Sequence, residues 1–160
     1  MTVFDKHLKY MSADNSFAVC LPVNVLEKMH HECEKSLPNE TGGILIGNYS
    51  DDLKVAHITK MVGKSRNSVR HCSSFIREGK DYLPILNRFW EKNQYYLGEW
   101  HYHPLSSSIP SPIDIATMFQ LSLDQYLCCP EPILIIIGGK KGAWNITISV
   151  FCNGERIILS

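Results

Sequence analysis

The chain has 160 residues, an apolar share of 44%, and 16 basic against 16 acidic side chains. That length suits a single domain, residues 1–160, and the balanced charge argues against a protein whose main task is neutralising a phosphate backbone. No apolar run is long enough to span a bilayer, and the opening MTVFDKHLKYMSADNS lacks the apolar stretch of a secretory signal. The expectation is therefore a cytoplasmic protein with reduced thiols, and no nucleic-acid or membrane partner. Its six cysteines form no CxxC pair and read as small hydrophobes.

In chain order, residues 17–21 (FAVCL) predict a strand. A helix follows from Pro22 to about residue 36, with Leu26, Met29 and Cys33 at helical spacing, and Leu37-Pro38-Asn39-Glu40 breaks it. Residues 41–48 (TGGILIGN) read as a buried strand, and 53–61 as its antiparallel neighbour across Asp51-Asp52. The basic stretch 62–71 reads as a loop, and 72–77 as a short strand. A helix is expected over about 80–93, where Tyr82, Leu83, Leu86, Phe89 and Trp90 repeat at helical spacing. Residues 96–103 (YLGEWHYH) predict a strand, 104–111 a flexible Ser/Pro loop, and Pro112 to about Leu127 a helix. Three strands close the chain at 132–138, 143–152 and 155–159. The fold class is mixed α/β, a central and mostly antiparallel sheet flanked by helices.

Three residues in the second half suggest a metal site. His101 and His103 are two apart in a predicted strand, so both point to one face with Cα atoms about 7 Å apart. Asp114 falls in the third helical position if Pro112 is the first, and there it points back toward the helix N-terminus. Two imidazoles and one carboxylate leave one position of a tetrahedral zinc open, the ligand count of a catalytic rather than a closed structural site. Ser111 is a natural N-cap ahead of Pro112. Glu99 shares the strand parity of the two histidines, which makes it a candidate base or a partner orienting a histidine.

Elsewhere the bland readings are preferred. His30, His31 and Cys33 sit on a predicted helix where adjacent residues diverge, which suggests a solvated face. Phe75, Trp90 and Trp100 read as core or groove-lining aromatics. The basic loop Lys64-Ser65-Arg66…Arg70, with His71 and Cys72, reads as solvated. Gly42 and Gly43 suggest close backbone approach near Glu40, because no Lys-Ser/Thr follows them as a phosphate loop requires.

The string His101-Tyr102-His103, then 104–110, Ser111, Pro112-Ile113 and Asp114 resembles the JAMM motif of the MPN-plus (JAB) metalloproteases, a family that includes deubiquitinases. Gly98-Glu99-Trp100 and Pro104 match the flanks of many bacterial members, and Glu40-Thr41-Gly42-Gly43-Ile44-Leu45-Ile46-Gly47 resembles the family's glutamate segment. The resemblance implies an MPN/JAB fold and one zinc ion on His101, His103 and Asp114. It also implies Glu40 as general base and Ser111 as a donor to the oxyanion. The likeness is greatest to the JAB peptidases of antiphage CBASS operons. It implies cleavage after the C-terminal glycine of a ubiquitin-like conjugate, there a cGAS-like nucleotidyltransferase, from its protein target. Processing of a sulfur-carrier or ubiquitin-like protein, and a non-catalytic MPN scaffold, are the other readings.

Overall fold

The computed structural model describes residues 6–63 and 75–160. Its elements run β1 (His7–Met11), β2 (Ala18–Pro22), α1 (Val23–Ser36), β3 (Thr41–Tyr49), β4 (Val55–Val62), α2 (Phe75–Trp90), β5 (Tyr95–Pro104), α3 (Pro112–Ser122), β6 (Ile133–Lys140), β7 (Ala143–Cys152) and β8 (Glu155–Leu159). One eight-stranded sheet has the order β1-β2-β4-β3-β5-β6-β7-β8. The β2–β4 and β5–β6 pairs are parallel and the others antiparallel. The two outer strands meet at one corner, where Met11 and Ser160 exchange backbone hydrogen bonds of 2.9 and 3.0 Å. The sheet therefore curls toward closure there and protects part of both edges.

The sheet separates two cores. On one side Val25, Met29 and Cys33, four residues apart along α1, pack on Leu21, Leu45, Trp100, Tyr102, Ile135 and Ile137. On the other, Tyr82 of α2 and Met118 and Leu121 of α3 pack on Ile44, Ile46, Leu134, Ile136 and Phe151. Full burial of each large aliphatic side chain contributes about 1.5–3 kcal/mol. Strand β6 is covered on both faces, which explains its unbroken ILIII run.

A bulge in β5 orients the site. Leu45 pairs with Gly98 but Ile46 pairs with Tyr96, so Leu97 is the extra residue. Leu97 and Trp100 consequently belong to the same core although they are three apart. The alternation restarts after the bulge. Trp100 and Tyr102 go to the α1 side, while Glu99 and His101 go with their ladder neighbours Ile44, Leu134 and Ile136 to the α2/α3 side. Gly98 permits this: its φ is +148°, and a Cβ there would lie 1.9 Å from the Ile133 carbonyl oxygen.

Several expected elements shift. Strand β1 was not anticipated, because HLKYM is a largely exposed edge strand without apolar alternation. Pro22 ends β2 and stands as the N-cap of α1. Residues 75–77, read as strand, open α2, and the remainder of that reading (72–74) lies outside the described residues. Helix α2 ends at Trp90, not residue 93. Helix α3 stops at Ser122, short of Leu127, because Asp124 Oδ1 accepts the Tyr126 and Leu127 N–H groups in a turn that competes with the helix. His30 is not solvated: it stacks on Trp144 with centroids 4.6 Å apart. Trp90 is 58% exposed and not a core residue. The basic loop with His71 and Cys72 lies outside the described residues.

Candidate active site

The strand and the helix cap bring the sequence-predicted residues together. His101 Nδ1 lies 2.9 Å from Asp114 Oδ1, and His103 Nε2 lies 3.4 Å from Asp114 Oδ2. On its other edge, His101 Nε2 lies 2.8 Å from Glu99 Oε2. Asp114 is held by a capping box at the start of α3. Its Oδ2 accepts the Ser111 backbone N–H at 2.7 Å, and its own N–H donates to Ser111 Oγ at 3.1 Å. The cap uses a lone pair of Ser111 Oγ and leaves that hydroxyl's proton available to donate.

One pocket is lined by Glu40, Thr41, His101, His103, Pro104, Ser106, Ile109, Ser111, Ile113 and Asp114. Glu40 reaches it through sheet register. Thr41 pairs with Tyr102, so the next step along the antiparallel ladder sets Glu40 beside His103. Close by, Gly43 lets β3 lie tight against β4: a Cβ there would lie 1.8 Å from the Val62 carbonyl oxygen. Glu40 itself is exposed. Glu99 is 2% exposed and is not among the lining residues.

The Ser/Pro loop, expected to be flexible, is tied down. Leu105 N–H donates to the Gly139 carbonyl at 3.1 Å, Gly139 N–H to the Ser106 carbonyl at 2.8 Å, and Ser108 Oγ lies 2.7 Å from Thr147 Oγ1. The anchored loop carries Ile109 to the pocket, which Ile113 also lines; the two are exposed by 70% and 64%. Neither was singled out in the sequence, where the only signal was an isoleucine amid serines and prolines.

Burial works to raise the Asp114 pKa, but hydrogen bonds from His101, His103 and the Ser111 N–H outweigh it and leave the carboxyl well below the ordinary value. The His103 imidazole is pushed up by its hydrogen bond to Asp114, against its burial, and the Glu40 charge adds to the rise. Burial raises the Glu99 carboxyl, opposed by the His101 contact.

The donors bond to one another, and among the described residues no three His, Cys, Asp or Glu side chains stand in metal-ligating geometry. The donor chemistry nevertheless fits a zinc-type ion. Two imidazole nitrogens converge on the two oxygens of one anionic carboxylate, at the wall of a solvent-connected pocket.

A family model described as prokaryotic homologs of the JAB domain matches residues 22–147. The chain belongs to this JAB family. A protein named CD-NTase/cGAS isopeptidase from Enterobacter hormaechei subsp. hoffmannii is 34% identical over 154 residues, covering 96% of this chain and 86% of its own. A probable metalloprotease, y4qB, from Sinorhizobium fredii is 28% identical over 130 residues, covering 79% of each. The solution structure of protein DSY2949 from Desulfitobacterium hafniense shares the fold of this JAB chain, with a TM-score of 0.62 at 19% identity over 85% of this chain and 86% of that one. No helix among the described residues of the JAB chain is long and apolar enough to cross a membrane.

Proposed function

We propose that this JAB chain is a zinc-dependent isopeptidase of deubiquitinase type. The observation that carries the reading is the convergence of His101, His103 and Asp114 on one pocket that Glu40 and Ser111 also line. His101, His103 and Asp114 would hold the ion. When bound, zinc supplies a Lewis acid for the scissile carbonyl and acidifies water at neutral pH.

The remaining work falls to the chain's own groups. Glu40, exposed at the pocket edge, takes a proton from the attacking water and delivers it to the leaving amine. The Ser111 hydroxyl donates a hydrogen bond to the developing oxyanion. The apolar rim at Ile109 and Ile113 shields the substrate backbone from water.

The relatives named CD-NTase/cGAS isopeptidase support a substrate of matching chemistry. That substrate is a cGAS-like nucleotidyltransferase joined through its C-terminal glycine to a target protein, in a CBASS defence system of the cytoplasm. The test is cleavage of a linear fusion carrying such a C-terminal tail, with and without chelator. Cleavage should stop with chelator and return with added zinc. Chelator-insensitive cleavage would overturn the mechanism, and zinc binding without cleavage of any fusion would favour a scaffold.

A further inference from the structure

The buried carboxylate behind His101 is not explained by packing. Glu99 is almost fully enclosed, its ladder neighbours are Ile44 and Leu134, and its Oε1 has no hydrogen-bond partner among the described residues. An orphaned carboxylate oxygen in an apolar layer costs stability, and an aliphatic side chain of similar size would serve packing better. What Glu99 does have is one short contact, Oε2 to His101 Nε2 at 2.8 Å.

That contact divides the imidazole in two. Nδ1 faces Asp114 at the pocket wall, and Nε2 faces Glu99 away from it. A neutral imidazole has one bare nitrogen and one N–H, and the group on the N–H decides which nitrogen is bare. Glu99 is also badly placed to be the base, because it lies outside the pocket where the attacking water must sit.

We propose that Glu99 is a positioning residue: it accepts the Nε2–H of His101, and so reserves Nδ1 for the ion held with Asp114 and His103. The inference rests on the proposed function but makes a separate claim, about which ring nitrogen binds. It predicts an asymmetric pair, since His103 turns Nε2 toward Asp114. A metal-bound histidine whose second nitrogen is fixed by a carboxylate holds its ion more tightly, and loss of such a partner weakens affinity by about 10–100-fold.

Two measurements on the full chain test this. In the zinc-loaded protein labelled with 15N, long-range proton–nitrogen correlations should show His101 protonated at Nε2 and His103 protonated at Nδ1. A His101 proton on Nδ1 overturns the proposal. Zinc affinity by competition with a chromophoric chelator should fall about 10–100-fold in Glu99→Leu. In Glu99→Gln it should recover most of that loss, because the amide oxygen still accepts the N–H. The metal-free Glu99→Leu protein should melt at the parent temperature or above it. Unchanged affinity, or affinity lost together with a lower metal-free melting temperature, would assign Glu99 a packing role and sink the idea. A parent chain that binds no zinc at all would fail the proposed function itself.

Discussion

Ser111 and Asp114 cap each other: the Ser111 N–H donates to Asp114 Oδ2 at 2.7 Å while the Asp114 N–H donates to Ser111 Oγ at 3.1 Å. This exchange at the start of α3 fixes the carboxylate whose oxygens face both histidines, so a helix-starting device doubles as the anchor of the site. Ser111→Ala should lose about 1 kcal/mol of stability from the cap. If the hydroxyl also stabilises an oxyanion, kcat should fall about 10²–10³-fold, far more than that stability loss explains. Urea unfolding and steady-state cleavage of the tail fusion separate the two effects. A kcat near that of the parent would remove Ser111 from the chemistry.

Glu40 stands at the exposed edge of the same pocket, with no hydrogen bond among the described residues that packing depends on. Glu40→Gln should abolish turnover, keep zinc, and change stability by no more than about 0.5 kcal/mol. Metal content by mass spectrometry together with the cleavage assay checks this. Retained activity would move the base elsewhere.

Stability of the metal-free protein should depend on pH through the same groups. His103 has a folded pKa above its ordinary 6.5, so its contribution is full below about pH 6.5 and is lost as pH rises through the raised folded value. Asp114 is shifted the other way from its ordinary 3.8. Its contribution is present above about pH 4 and is lost only as pH falls toward the depressed folded value. Urea midpoints measured in chelator should therefore decline above about pH 6.5. The His103→Gln variant should flatten that decline, and an unchanged profile in this variant would show that other groups cause it.

Gly98→Ala tests the bulge that aims the histidines. The added Cβ would meet the Ile133 carbonyl oxygen at 1.9 Å, in a backbone conformation that L residues rarely adopt. A loss of about 2 kcal/mol or more is expected, with zinc affinity falling as β5 shifts. Thermal melting and chelator competition report the two. A variant that melts and binds zinc like the parent would mean that the bulge tolerates a side chain.

How much of this was legible beforehand follows from which contacts are local. The His-x-His pair, the Pro112 start and Asp114 fall within 14 residues, so strand alternation, helix capping and the motif resemblance together mark them as candidates in the sequence. Of the Gly42-Gly43 pair expected to allow close backbone approach near Glu40, Gly43 does so, toward the Val62 carbonyl of β4. The end of α2 falls earlier than expected because the chain turns at Asn93, whose φ is +56°, although Glu91-Lys92-Asn93 holds no proline or glycine to mark a stop. In α3 apolar spacing continues to Leu127, and the turn at Asp124 stops the helix.

The sequence by itself determined the family, the main architecture and the cluster of histidines and aspartate, because these rest on short-range periodicity and a compact motif. Only the tertiary structure decided which face the cluster occupies, since the Leu97 bulge resets the alternation of β5 against β3. It also decided that Glu40 reaches the pocket while Glu99 is sealed behind His101. Glu99 is the nearer of the two in the chain. Cross-strand register and burial on the α2/α3 side place Glu40 at the solvent edge and Glu99 in the apolar layer, and no spacing within one strand can encode that difference.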